Sequence, residues 1–201
     1  MGQSLKIKAD AYLIQAYDAL SLYTGKTMAE DVLGDAIALT ATALQKSDEG
    51  YVVQTIRQSI GHDKFNYPFV PRHIYQDMKR RPPAPPGREI FLSVTPRIKT
   101  NLALICKTLN LNNKQDAIRF SATFAFQVAT ELRKTPGRVS LAYVDSTDRR
   151  FGEIAKTPYD RSLRNDFNRL FREFQDWWKC RDDRGRGGNP PSNHPPYPLA
   201  P

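Results

Sequence analysis

Ser4-Leu5-Lys6-Ile7-Lys8-Ala9 alternates apolar and polar side chains, so an extended backbone puts Leu5, Ile7 and Ala9 on one face and Ser4, Lys6 and Lys8 on the other. One face is oily and the opposite one is basic. Downstream, Leu13, Ala16, Tyr17 and Leu20 recur at the spacing of a helix with one buried stripe, and Thr24-Gly25-Lys26 supplies a glycine stop. Thr27-Met28-Ala29-Glu30 then has the form of a capping box, and Val32, Ala36, Leu39 and Ala43 carry a second stripe. Ser4 to Lys46 therefore predicts a strand, a helix, a tight polar break and another helix. Such a strand cannot bury its apolar face alone.

The same order returns between Arg88 and Lys134. Ile90, Leu92 and Val94 form the inward face of a second strand, with Glu89, Phe91, Ser93 and Thr95 outward. Pro96 suits the first turn of a helix, along which Ile98, Leu102, Ile105 and Leu109 fall three or four apart. Asn110-Leu111-Asn112-Asn113 makes the break, because asparagine favours turns and N-caps over helix interiors. The next stripe is Ala117, Ser121, Phe124, Val128 and Leu132. The two copies match element for element.

This order resembles the ribbon-helix-helix family of DNA-binding proteins, the Arc/MetJ type. The likeness is strongest in Ile90-Phe91-Leu92-Ser93-Val94 followed by Pro96, and in the helix opening Lys114-Gln115-Asp116-Ala117-Ile118-Arg119. The first copy resembles the family in layout but lacks the proline. The resemblance implies two strands paired antiparallel into a ribbon that lies in the DNA major groove. It also implies second-helix N-termini on the flanking phosphates, which brings in Thr27 from the first copy and Asn112, Asn113 and Lys114 from the second. Tandem copies occur in members that serve as accessory factors at plasmid transfer origins, and the resemblance does not separate these from repressors, partition proteins or antitoxins.

Lysine at alternate strand positions can donate to guanine O6 and N7, and serine can contact either kind of base pair, so Lys6, Lys8 and Ser4 are the expected base readers. The competing account is that the lysines solvate an exposed strand and blunt its edge. On the second strand, Glu89 can accept from cytosine N4, Phe91 can touch a thymine methyl and Ser93 can join them. A carboxylate also repels phosphate, so this strand either reads an unusual sequence or acts as a structural partner with Phe91 packed under the linker or the C-terminal region. Pairing within one chain is preferred to pairing between two, since a symmetric ribbon sets Glu89 near its own copy. An internal pseudo-dimer predicts an asymmetric site; a homo-oligomer predicts a palindrome.

A net charge of +9 on 201 residues favours a polyanionic partner, and 40 % hydrophobic residues suffice for a core or two small ones. No apolar run approaches the roughly 20 residues that span a bilayer. The opening Met1-Gly2-Gln3-Ser4 carries no hydrophobic signal region, so a cytoplasmic location is expected. Cys106 and Cys180 sit in separate segments and read as ordinary reduced thiols.

The fold class expected is mainly α with a short β ribbon. Residues 1–46 and 88–135 are the two copies, and residues 47–87 are a linker. Within it Tyr51 to Ile56 reads as a short strand or a helical turn, and the chain from Tyr67 reads as extended and proline-rich. Lys79-Arg80-Arg81 is either a solvated linker run or a backbone contact beside the groove. Residues 136–182 hold a strand, Arg138 to Val144, then an amphipathic helix. Its stripe of Leu163, Phe167, Leu170, Phe171, Phe174, Trp177 and Trp178 either completes the core or docks a protein partner through Phe167, Phe171, Phe174 and Trp178. Residues 183–201 read as a disordered tail.

No catalytic pattern emerges. His62, His73 and His194 stand apart, no zinc spacing occurs, and Gly25-Lys26-Thr27 lacks the earlier glycine of a phosphate-binding loop because position 20 is Leu20. Neither enzyme activity nor a cofactor is expected. The runner-up to DNA binding is an adaptor working through the aromatic C-terminal helix.

Overall fold

Asp10 ends the first strand, β1 (Gln3–Asp10), by accepting the Leu13 amide at 2.8 Å and so capping α1 (Ala11–Thr24). Thr95 does the same after β4 (Pro86–Val94): its hydroxyl accepts the Ile98 amide at 3.3 Å at the head of α4 (Pro96–Leu109). The computed structural model describes residues 3–57, 64–81, 84–134, 139–147, 151–155 and 157–159. The chain divides into a unit of residues 1–161 and a unit of residues 162–201, and the aromatic stripe, the tail, Cys180, His62 and His194 lie outside the described residues.

Both first helices stop on a left-handed residue, Gly25 at φ 69° and Asn110 at φ 51°. Glycine adopts that conformation freely and asparagine with least cost among the rest. Substituting Asn110→Val is therefore expected to lower the unfolding free energy by about 1–2 kcal/mol, while Asn110→Gly does not; urea midpoints of the two variants check this.

The second helices are α2 (Ala29–Asp48) and α5 (Lys114–Lys134). At α5 the reading of Asn113 as a cap holds: its Oδ1 accepts the Asp116 amide at 2.8 Å while its Nδ2 donates to the Asp116 carboxylate at 2.8 Å. The capping box expected at Thr27 does not form. Met28 occupies the N-cap in extended conformation without a side-chain bond, one residue later than that spacing requires, and the Thr27 carbonyl accepts the Tyr17 hydroxyl at 2.9 Å. From Asp10 to Thr95, from Gly25 to Asn110 and from Met28 to Asn113 the offset is a constant 85 residues. The two copies thus run in step, without an insertion, from the end of the strand through helix, break and helix.

β1 and β4 of the same chain pair antiparallel, with Ser4 opposite Ser93, Lys6 opposite Phe91 and Lys8 opposite Glu89. Lys6 and Phe91 are also equivalents under the 85-residue offset, so an internal two-fold passes between them. Ile7, Ala9, Ile90 and Leu92 turn inward and are buried beneath the stripes of α1, α2, α4 and α5.

The expectation of a mainly helical chain with one short ribbon is too narrow. A second, four-stranded antiparallel sheet in the order β3-β2-β5-β6 is built from β2 (Tyr51–Arg57), β3 (Lys64–Phe69), β5 (Val139–Asp145) and β6 (Phe151–Ala155). Tyr51 to Ile56 is thus a strand, and the predicted strand near Arg138 to Val144 is β5. The stretch after Tyr67 is not extended throughout: β3 is followed by α3 (Pro71–Arg80), which starts on Pro71 where a fixed φ and a missing amide are harmless. Ile74 and Tyr75 anchor it, Tyr75 edge-on to Phe120 at 5.5 Å.

Lys79-Arg80-Arg81 is consequently a helix end. Lys79 lies over the Tyr75 ring at 4.9 Å, Arg81 over Tyr12 at 5.6 Å, and Arg80 is 3.7 Å from Asp77. Val53, Phe69, Leu141 and Tyr143 join the same core as the ribbon and its helices, with Phe69 edge-on to Phe124 at 6.3 Å. On the other face of this sheet Ile56, Ala142 and Val144 form a smaller buried cluster.

Candidate functional site

Because the inward residues of the ribbon alternate with the outward ones, burying the first set presents the second. Ser4, Lys6 and Lys8 of β1 and Glu89, Phe91 and Ser93 of β4 are all exposed on one face. The Lys6 side chain is 55 % exposed and that of Glu89 46 %; Phe91, at 62 %, is among the most exposed large apolar residues described. None of the described elements covers Phe91. Lys6 and Lys8 are not shielded either.

Glu89 stands opposite Lys8 in the register, yet its carboxylate reaches diagonally to Lys6, with Nζ–Oε1 at 2.8 Å. Long side chains span such a diagonal readily. In open solvent the pair contributes about 0–1 kcal/mol, so it orients the two groups without locking them.

One flank of the ribbon is held by α5. Gln115 Nε2 donates to the Lys8 carbonyl at 2.8 Å, Arg119 donates to the same oxygen at 3.5 Å, and Arg119 is 3.3 Å from Asp10. This fixes the N-terminus of α5 beside the end of β1, with Asn112, Asn113 and Lys114 exposed there. Asn113 is engaged in the cap with the Asp116 amide, and Asn112 and Lys114 are exposed beside it. On the other flank α2 packs against β4. Thr27, expected to serve as a cap, is exposed just ahead of the α2 N-terminus.

The sequence reading missed Asp10, Gln115 and Arg119, which position the site. Asp10 carried a usable signal, an N-capping residue type between an alternating strand and a helical stripe. The bonds of Gln115 and Arg119 to Lys8, 107 and 111 residues away, had none. A cavity of about 220 Å³ lies beside this flank, lined by Asp10, Tyr12, Tyr75, Arg81 and Arg119 among others.

Gly25 is the expected helix stop, and Lys26 pairs with Asp35 at 2.5 Å. Burial pushes the Cys106 thiol above its ordinary pKa, against the opposing pull of Lys114, which keeps it protonated at neutral pH. Among the described residues no group of three His, Cys, Asp or Glu side chains is placed to hold a metal, and no helix is long and apolar enough to cross a membrane. Comparison with protein-family models, curated proteins and solved structures returns no match.

Proposed function

We propose that this chain binds double-stranded DNA sequence-specifically, in the manner of a ribbon-helix-helix protein whose two halves are joined in one polypeptide, as a repressor or a plasmid-transfer accessory factor. The observation that carries the reading is the exposed six-residue face centred on Lys6 and Phe91, displayed by strands that pair within the chain. A two-stranded ribbon has the width to enter the major groove, and alternate residues then meet base edges. The net charge of +9 supplies the sequence-independent attraction. Asn112 and Lys114 at the head of α5, and Thr27 near that of α2, are assigned to backbone phosphates on either flank. The four-stranded sheet is an addition to the family's plan, and its role here is to enlarge the core behind the ribbon.

The two strands differ at every outward position, so the preferred duplex is not a palindrome. Selection from randomised duplexes should return a single asymmetric site. Affinity for that site should fall about a thousandfold or more between about 50 and 200 mM salt if six or more phosphates are neutralised. No detectable duplex binding at low salt would overturn the reading in favour of an adaptor.

A further inference from the structure

We infer that Lys6 and Glu89 act as one unit that reads a single G·C base pair. The inference rests on the proposed groove binding and adds to it the identity of one base pair and the two side chains that recognise it. A carboxylate on a face turned toward phosphates needs a reason, since unpaired it weakens binding. Its contact with Lys6 at 2.8 Å provides one, because the couple presents a donor and an acceptor side by side. In the major groove a G·C pair displays guanine N7 and O6 as acceptors and cytosine N4 as a donor. O6 and N4 are joined by a base-pairing hydrogen bond, so they stand about 2.9 Å apart. The spacing of Nζ and Oε1 therefore matches the spacing of the two groups they would meet. The ammonium donates to O6 and N7 while the carboxylate accepts the free N4 hydrogen.

The nearest competitor is T·A, where thymine O4 and adenine N6 set an acceptor and a donor at the same spacing; there the lysine loses its second acceptor, guanine N7, and meets the thymine methyl in its place, so G·C alone gives the ammonium two contacts and the carboxylate one. At A·T the lysine keeps adenine N7 alone, and thymine O4 with its neighbouring methyl occupies the carboxylate's side, where a donor is needed. At C·G the donor and acceptor are reversed. The unit also occurs once on the ribbon. Under the 85-residue equivalence, Lys6 and Glu89 correspond to Phe91 and Ser4, an aromatic ring and a hydroxyl without charge. Lys8 lies about 6.6 Å farther along the strand, roughly two base-pair steps, and so addresses a different pair.

The test is a selection from randomised duplexes with the full chain and four variants: Lys6→Met, Glu89→Gln, Lys8→Met and the exchanged double variant Lys6→Glu/Glu89→Lys. Lys6→Met and Glu89→Gln should lose preference at one shared position, which the unchanged protein fixes as G·C by about tenfold or more. Lys8→Met should relax a different position. The exchanged variant keeps a donor beside an acceptor in the opposite order and should turn the preference at the shared position to C·G. If Lys6→Met and Glu89→Gln relax different positions, or the shared position is not G·C, the inference falls while sequence-specific binding stands. If the exchanged variant is folded and binds but keeps G·C, the inference falls likewise. If the unchanged protein binds no duplex, the underlying reading fails and takes the inference with it.

Discussion

Changing Lys6 and Lys8 together to alanine should lower affinity for the selected duplex by at least about 30-fold and leave affinity for random duplexes much less affected. Each base-directed contact is worth about 1–3 kcal/mol of discrimination, so two remove about 2 kcal/mol at the least, and 1.4 kcal/mol is a factor of ten. The unfolding midpoint should barely move, because both side chains are exposed and the Lys6–Glu89 pair contributes little to folding. Competition binding against a random duplex, with a thermal melt of the same sample, reads both quantities. Equal weakening toward every duplex would assign the lysines to phosphates. No weakening at all would leave them as solvation of an exposed strand.

A second large effect concerns the core beneath the ribbon. Phe124 of α5 is fully buried, edge-on to Phe69 of β3 and 6.1 Å from Phe120, so it ties the helices behind the ribbon to the second sheet. Truncation by Phe124→Ala removes a buried ring and leaves a cavity, at a cost of about 3–5 kcal/mol. For a domain of ordinary stability, about 5–15 kcal/mol, that is a large share. Urea unfolding should show a single transition at a much lower midpoint with an unchanged slope. A loss below about 1 kcal/mol would mean that sheet and helices do not share one interior.

The ribbon was legible because a half-buried strand leaves its mark in a two-residue period, and Leu5-Lys6-Ile7-Lys8 and Ile90-Phe91-Leu92-Ser93 both carry it. The helix stops at Gly25 and Asn110 were legible for a different reason: the left-handed conformation restricts which residues serve. β2 was ambiguous because the sheet is covered on both faces, as Val53 and Ile56 show, which erases alternation. α3 was hidden by its proline, for Pro71 reads as a breaker until it is placed at the first helical position. The Thr27 box failed by one residue, within the usual uncertainty of a helix start. Of the site, the outward side chains could be named in advance. Their partners across the strands, and the Gln115 and Arg119 bonds to Lys8, depend on contacts between segments far apart in sequence.

Joining β1 and β4 in one polypeptide makes the ribbon insensitive to dilution: the tether supplies each strand with a local concentration of its partner that no reduction in protein level removes. It also frees each half to change by itself. A substitution in a symmetric homodimer strikes both strands at once, whereas here one codon alters one strand, so the outward face of one strand can be retained while that of the other changes.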